Sequence, residues 1–505
     1  MIRGLDTTVK KIRRQVFCEV AKLGINSSTK TLLDDIEIVP YKLVPEDDTT
    51  YRESIYRSRA IVRERLRLAM GLSLRPEDKP IHLTQGIADS DITEKYYEPP
   101  LMQVIPSACE RCEENKFEVS DQCKGCLAHP CVEICPKNAI TMSRKKSVID
   151  QSKCIKCGKC KMACPYDAIA KKERPCQQAC GVNAIVSDQL DRAVIDNDKC
   201  VSCGMCMVNC PFGAISDKSQ IFQLMRAMNE EAEIIAEIAP AFEGQFGIDV
   251  SANKFKAGLL ELGFSGVYEV ALGADIGAIA EAHHYVEKVS TGELPFLLTS
   301  CCPSWAMLAK IHFPDLASQV SQELTPMVAT ARSIKKENPN ARVVFIGPCA
   351  AKKLEASRRS VRSDVDFVIT FEELQAIFEA KGINLNEKAE DETLTCNEAT
   401  GAGRGYAVSG GVAGAIEKCI NAYYPETEVK IERAEGLTEC RKILVQAKSG
   451  RLNGYLIEGM GCPGGCIAGA GTNIQIPKAA NKIKKVVSTS AKTVPDKELQ
   501  DIILD

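Results

Sequence analysis

The chain has 505 residues, 45% of them hydrophobic and 5% aromatic, with a formal net charge of −3. That length supports two or three domains with a sizeable core, and the balanced charge excludes a global bias toward nucleic acid or membrane surfaces. No apolar run reaches transmembrane length and the opening Met1-Ile2-Arg3-Gly4-Leu5-Asp6 lacks the apolar core of a signal peptide, so a cytoplasmic location is expected.

In chain order, residues 1–100 form a mostly helical region with one cysteine, Cys18, and no cofactor motif. Ile55, Ile61, Val62, Leu66, Leu68 and Ala69 recur among arginines over 51–70, which predicts an amphipathic helix that packs on one side and turns its arginines to solvent.

The chain holds 25 cysteines, an excess that in a reducing compartment points to metal ligation, because disulfides do not persist there. Sixteen of them lie between Cys109 and Cys210. Cys154-Cys157-Cys160-Cys164-Pro165 and Cys200-Cys203-Cys206-Cys210-Pro211 each resemble the run of bacterial ferredoxins, in which three thiolates hold one cluster and the fourth serves its partner. A zinc site would need paired CxxC motifs without the trailing proline.

A third run, Cys123-Cys126-Cys131-Cys135-Pro136, pairs with the one at Cys154. Pro175-Cys176-Gln177-Gln178-Ala179-Cys180 repeats the half-motif Pro130-Cys131-Val132-Glu133-Ile134-Cys135, and Cys109-Glu110-Arg111-Cys112 supplies its missing first half. The region 101–218 then reads as one ferredoxin inserted in another, with four 4Fe-4S clusters. The inner ligand sets are Cys123, Cys126, Cys131 with Cys164, and Cys154, Cys157, Cys160 with Cys135. The outer sets are Cys109, Cys112, Cys176 with Cys210, and Cys200, Cys203, Cys206 with Cys180. Joining the Cys154 and Cys200 runs directly is the alternative, and it strands Cys176 and Cys180. The nested arrangement resembles electron-transfer subunits of molybdenum oxidoreductases and formate-hydrogenlyase-type complexes.

From Lys137 to Arg174 there are eleven Lys and Arg against three acids. Two readings stand: a field that steers an acidic electron carrier, or lysines that offset the charge of the clusters.

A helix over 219–230 leads into 219–505, where apolar strand-like runs alternate with amphipathic helices, as in two α/β lobes. The runs 295–298, 343–346 and 455–457 each precede a cysteine loop: Thr299-Ser300-Cys301-Cys302-Pro303-Ser304-Trp305, Gly347-Pro348-Cys349-Ala350-Ala351-Lys352-Lys353-Leu354-Glu355, and Glu458-Gly459-Met460-Gly461-Cys462-Pro463-Gly464-Gly465-Cys466. Buried strands place such loops at their carboxyl ends, the edge at which open α/β sheets bind ligands. A helix over 273–289 puts Glu281 and His284 three residues apart, on one face.

These three ordered loops resemble the active-site loops of the iron-iron (FeFe) hydrogenases. The resemblance implies an α+β multidomain protein with nested two-cluster ferredoxin-like domains ahead of a two-lobed α/β catalytic domain. Its cofactor would be the H-cluster, a 4Fe-4S cubane bridged to a diiron unit with CO, CN and azadithiolate. Cys302, Cys349, Cys462 and Cys466 would hold the cubane, with Cys466 also bridging to the diiron unit. Cys301 would be the proton donor, Lys352 a hydrogen-bond donor to cyanide, and Met460 a packing neighbour. Glu281 and Ser321 match the family's proton path, and His284 stands where a second glutamate is usual. The implied activity is reversible interconversion of protons, electrons and molecular hydrogen, with electrons exchanged with a ferredoxin or similar acidic carrier and with maturation proteins supplying the diiron unit. A hydrogen sensor and a non-catalytic Fe-S scaffold are the alternatives.

Several positions depart from the family pattern and point to a divergent, group B-like branch. Ala241 replaces a serine expected to help hold a cyanide, Gly347 replaces methionine, Met327 follows Thr325-Pro326, and Ile467-Ala468-Gly469-Ala470-Gly471 replaces a triple glycine. Changes among the residues around the expected ligands bear on catalytic bias. Cys396, Cys419 and Cys440 match no ligand spacing and are expected in the core. Gly401-Ala402-Gly403-Arg404-Gly405 and Ser409-Gly410-Gly411-Val412 lack the context of a phosphate loop and are expected to serve close backbone packing. His82, His129, His283 and His312 carry no motif.

Overall fold

A computed structural model describes residues 4–46, 51–230, 232–390 and 399–500; Cys396 lies outside them. The amino-terminal helices are Thr8–Asn26, Leu32–Leu43 and Ile55–Ala69. Thr7 caps the first, its Oγ1 accepting from the Lys10 N–H at 3.3 Å. Val16, Phe17 and Val20 of that helix share one core with Phe222 and Met225 of the Ile221–Met228 helix and with Phe371 and Phe378 farther on. Each such side chain contributes about 1.5–3 kcal/mol when fully buried, so this region is welded to the rest of the fold.

The arginines of the 55–69 helix do not form the expected solvated face. Arg65 and Arg67 are buried. Arg65 Nη2 donates to the Gly213 carbonyl, Arg52 Nη2 to the Phe212 carbonyl at 2.7 Å, and Arg57 to the Ser107 carbonyl at 2.9 Å and Glu110 Oε1 at 2.5 Å. The physical reason is demand for donors: the turn after Cys210 and the turn before Cys109 leave carbonyls unpaired, and guanidinium groups supply several donors each. The region of unknown role thus grips the two ends of the cysteine block.

Within that block one backbone turn recurs four times. The residue before the second cysteine of the CxxC that opens each run has positive φ: Arg111 at 49°, Gly125 at 58°, Lys156 at 58° and Ser202 at 53°. The residue three after the last cysteine does too: Asn138, Asp167, Asn183 and Gly213 at 47°, 47°, 54° and 59°. These conformations aim backbone N–H groups at sulfur. Ala139, Ala184 and Ala214 donate to Cys135, Cys180 and Cys210 Sγ at 3.3, 3.2 and 3.3 Å. Cys180 shares this geometry although Gly181 stands in place of the trailing proline.

Strand pairing follows the same order. Met102–Val104 pairs antiparallel with Ile215–Asp217, and Lys116–Val119 with Ile169–Lys172 inside it. Each pair brackets a hairpin: Ile185–Ser187 with Ala193–Ile195 for the outer pair, Ile140–Ser143 with Lys146–Ile149 for the inner.

From Ile234 on, the strands are parallel and form two sheets. Gly266–Glu269, Ile234–Ile238, Arg342–Gly347 and Phe367–Thr370 make one, in that spatial order; Leu297–Leu298, Tyr455–Met460 and Lys430–Glu435 make the other. The cysteine loops do follow carboxyl ends of strands, but of two sheets: the Cys349 loop leaves the four-stranded sheet, the other two leave the three-stranded one. The 273–289 helix is a Val270–His284 α-helix continued by a π-helical turn, Tyr285–Val289.

A buried ion cluster ties these parts together. Lys353 Nζ lies 2.7 Å from both Asp217 Oδ2 and Glu373 Oε1, and Arg13 Nη2 lies 3.1 Å from Glu372 Oε2. It thus joins the amino-terminal helix, the last strand of the cysteine block, the Ala351–Glu355 helix and the Phe371–Lys381 helix.

Candidate active site

Trp305, the single tryptophan, sets the geometry of the first and third loops. It is fully buried, its Nε1 donates to the Thr299 carbonyl at 2.9 Å, and a Cβ on Gly459 would fall 2.0 Å from its indole. Only glycine lets the third strand approach this closely. The Gly461 N–H then points at Cys302 Sγ, 3.4 Å away, and Cys440 donates to the Met460 carbonyl at 3.4 Å from behind.

The three loops converge on one cavity of about 70 Å³. Cys301, Cys302, Cys349, Cys462 and Cys466 line it, together with Lys352, Met460, Met327 and Tyr406. The rest of the wall is apolar, including Pro240, Phe345 and Pro348. Burial pushes the Cys349 thiol up to about 11 and those of Cys301 and Cys466 well above the usual range, against an opposing pull from Lys352 on Cys349 and Cys466. Such thiols ionise when a positive centre replaces the proton, which suits an iron-sulfur cluster.

Lys352 is the cation of the cavity. Its Nζ is paired with Glu355 Oε2 at 2.7 Å, and no second partner is found for its remaining N–H donors among the described residues. Glu355 is itself anchored by Thr325 Oγ1 at 2.6 Å. A buried ammonium with a free donor at an apolar hollow fits a small anionic acceptor. Four thiols, a fifth beside them and this donor therefore fit an iron-sulfur cluster carrying a second, anion-ligated unit.

The residues that the resemblance assigns to a proton path also come together. Glu281, on the Val270–His284 helix, is buried beside Cys301, and burial raises its carboxyl to about 7 while the Ser321 hydroxyl and the Ser300 N–H oppose that rise. The Ser321 N–H donates to the Leu298 carbonyl at 2.8 Å, which holds it beside the first loop. His284 Nδ1 is 3.8 Å from Glu323 Oε1, and the Glu323 N–H donates to Ser321 Oγ at 3.3 Å. Glu323 was not singled out by any motif; its only signal is its place two residues after Ser321.

Glu237 is a second carboxylate without a motif. It is fully buried, neither oxygen has a partner among the described residues, and burial holds its carboxyl far above the usual range, with nearby Lys352 opposing. The signal available for it was a charged residue inside the apolar run Ile234–Ile238.

The departures from the pattern have local causes. A Cβ on Gly347 would lie 2.5 Å from the ring of Phe345, so Phe345 occupies the space a side chain there would need. Ala241 is buried one residue beyond Pro240 and brings no hydroxyl. Cys419 and Cys440 are in the core and Cys18 is half-buried. The two glycine-rich segments are helix starts held by buried carboxylates: Asp275 accepts from the Thr400 and Gly403 N–H groups at 2.7 and 2.8 Å, and Glu458 from those of Gly410 and Ala413 at 2.7 Å each. No described helix is long and apolar enough to cross a membrane.

Residues 232–470 match the model of the iron only hydrogenase large subunit, C-terminal domain, and 147–170 and 193–216 match the 4Fe-4S binding domain. Iron hydrogenase 1 of Clostridium pasteurianum is 29% identical over 395 residues, covering 68% of each chain. A probable cytosolic Fe-S cluster assembly factor of Aedes aegypti is 26% identical over 259 residues, 41% of this chain and 54% of that one. Among solved structures, a variant of apo FeFe-hydrogenase HydA1 from Chlamydomonas reinhardtii superposes with a TM-score of 0.42 at 20% identity, over 53% of this chain and 92% of that one. The matched segments span 52% to 68% of the length of three curated hydrogenase relatives. Over residues 232–470 the chain is thus similar to the iron-only hydrogenases, with segments that match the 4Fe-4S binding domain ahead of that region.

Proposed function

We propose that the protein is an FeFe hydrogenase of a divergent branch that interconverts protons, electrons and molecular hydrogen. The observation that carries this reading is Cys301 placed beside four other cavity thiols and next to buried Glu281. A cluster scaffold needs four thiols; it has no use for a fifth with a carboxyl behind it.

Cys302, Cys349, Cys462 and Cys466 would hold the cubane, with Cys466 bridging to the diiron unit. When bound, the diiron unit supplies the metal centre at which hydrogen is made or split. Lys352 Nζ would donate to an anionic ligand of that unit, and the apolar wall with Met460, Met327 and Phe345 excludes water. Cys301 Sγ holds the proton nearest the cavity. Glu281 exchanges it through Ser321, and Glu323 with His284 continues the route outward. The nested ligand sets would carry four 4Fe-4S clusters. Cys109, Cys112, Cys176 and Cys210 share one small hollow, Cys180 lies near Cys200 and Cys203, and Cys203 near Cys349. Electrons would therefore reach the cubane from the Cys203 side.

The matches to Fe-S assembly factors keep the scaffold reading as the alternative. Cys301→Ala in the anaerobically matured protein separates the two. Hydrogen turnover is expected to fall by about 10²–10⁴-fold, the range for loss of a positioned proton donor, with iron content unchanged. Equal turnover in both proteins would refute the role of Cys301.

A further inference from the structure

The segments 154–165 and 200–211 are two copies of one motif, and their outward faces have opposite fates. In the second copy the face is covered by the catalytic domain. Val201 is 1% exposed, in the core around Trp305 and Leu308, and its carbonyl accepts from Ser304 Oγ at 3.1 Å. Met207 is 4% exposed against Ala350 and Ala470, and a Cβ on Gly204 would meet those same two residues. This covered face is also where Cys203 comes near Cys349, so it is the side on which the motif has a redox neighbour.

In the first copy the matching face is open. Ile155, at the position of Val201, is 56% exposed, and Met162, at the position of Val208, is 81% exposed. Lys159 and Lys161 stand where Met205 and Met207 stand, both exposed. Cys157 is exposed where Cys203 is half-buried. Gly158, the counterpart of Gly204, meets only Phe117 of its own module.

We infer that the 155–162 face is the docking site for a small acidic iron-sulfur electron carrier, seated over the cluster of Cys154, Cys157, Cys160 and Cys135 as the catalytic domain is seated over that of Cys200, Cys203, Cys206 and Cys180. Ile155 and Met162 supply exposed apolar side chains, and Lys156, Lys159 and Lys161, exposed on the same short segment, the charge that selects an acidic partner. Exposed apolar side chains rimmed by one sign of charge are the anatomy of a steered, transient interface. One electron leaves the carrier's cluster, which is oxidised, and reduces the cluster beneath the face; no bond or proton is exchanged. The direction of that transfer, though not the docking, rests on the hydrogenase reading.

The test compares the wild-type holoprotein with Lys159→Glu/Lys161→Glu, with Ile155→Ser/Met162→Ala, and with Lys484→Glu/Lys485→Glu, which makes the same charge change on the distant Ile476–Thr489 helix. The probe is a purified acidic two-cluster ferredoxin. Direct binding at low salt and hydrogen turnover with that ferredoxin and with methyl viologen are measured. The first two variants are expected to weaken binding and raise KM for the ferredoxin at least tenfold, with viologen turnover and iron content within twofold of wild type, while the third matches wild type. Unchanged binding in the first two variants, or equal loss in all three, overturns the docking site. Absence of viologen turnover in the wild type would sink the hydrogenase reading instead, and the binding comparison would still decide the docking site.

Discussion

The sixteen cysteines between 109 and 210 and the five of the catalytic loops are positioned by different means. In the first region position is local: a CxxC turn with a left-handed residue before its second cysteine is repeated four times, and in the turns at Cys154 and Cys200 the N–H of that residue points at the first sulfur. In the second it is tertiary: Cys349 leaves one sheet, Cys302 and Cys466 another, and Trp305 against Gly459 locks two of the loops. Local placement tolerates insertion, which is how one cysteine module can sit inside another. Tertiary placement does not, and its failure points should lie in the packing and the proton path.

The largest expected effect on the tertiary side, after Cys301→Ala, is at Glu281. Its carboxyl titrates at about 7 in the fold, so it is a proton donor below that pH and an acceptor above it. Proton-limited hydrogen evolution should fall as pH rises through 7, and hydrogen oxidation should rise over the same interval. Glu281→Gln should lower both rates about 100-fold, within the usual range for a proton-transfer group, and remove the pH step. A step that persists in the variant would assign it to another group.

A smaller effect is expected where the local side leans on tertiary support. Arg65 donates to the Gly213 carbonyl and to Tyr51 Oη at 3.3 Å. Arg65→Ala should cost about 2–3 kcal/mol, as for lost hydrogen bonds of a charged donor, measured by chemical unfolding. The loss should appear at the cluster of Cys109, Cys112, Cys176 and Cys210 first, seen by electron paramagnetic resonance as one cluster missing while the others remain. Uniform loss of all clusters would mean that local placement is weaker than the repeated turns imply.

Much of this was legible in the sequence because ligand spacing is short-range: the half-motif at Cys176 and Cys180 points to Cys109 and Cys112 without any knowledge of the fold, and Cys109, Cys112 and Cys176 line one hollow. The three cavity loops were legible as motifs, and their strands as apolar runs. What stayed hidden depends on where neighbours fall. The arginines of 55–69 read as a solvated face because periodicity reports which side is apolar, not that buried carbonyls of another segment will need donors. Glu323 and Glu237 lie in no motif and acquire a role only through what surrounds them. Gly347 read as a departure until Phe345 was seen to occupy its space.

The most direct test is the infrared spectrum of the protein matured anaerobically with the proteins that build the diiron unit. Discrete metal-bound CO and CN bands that shift under hydrogen are expected, because the cavity thiols and Lys352 fit that unit. Loaded 4Fe-4S clusters with no such bands, while a known hydrogenase matures normally alongside, would contradict the hydrogenase reading and leave the scaffold.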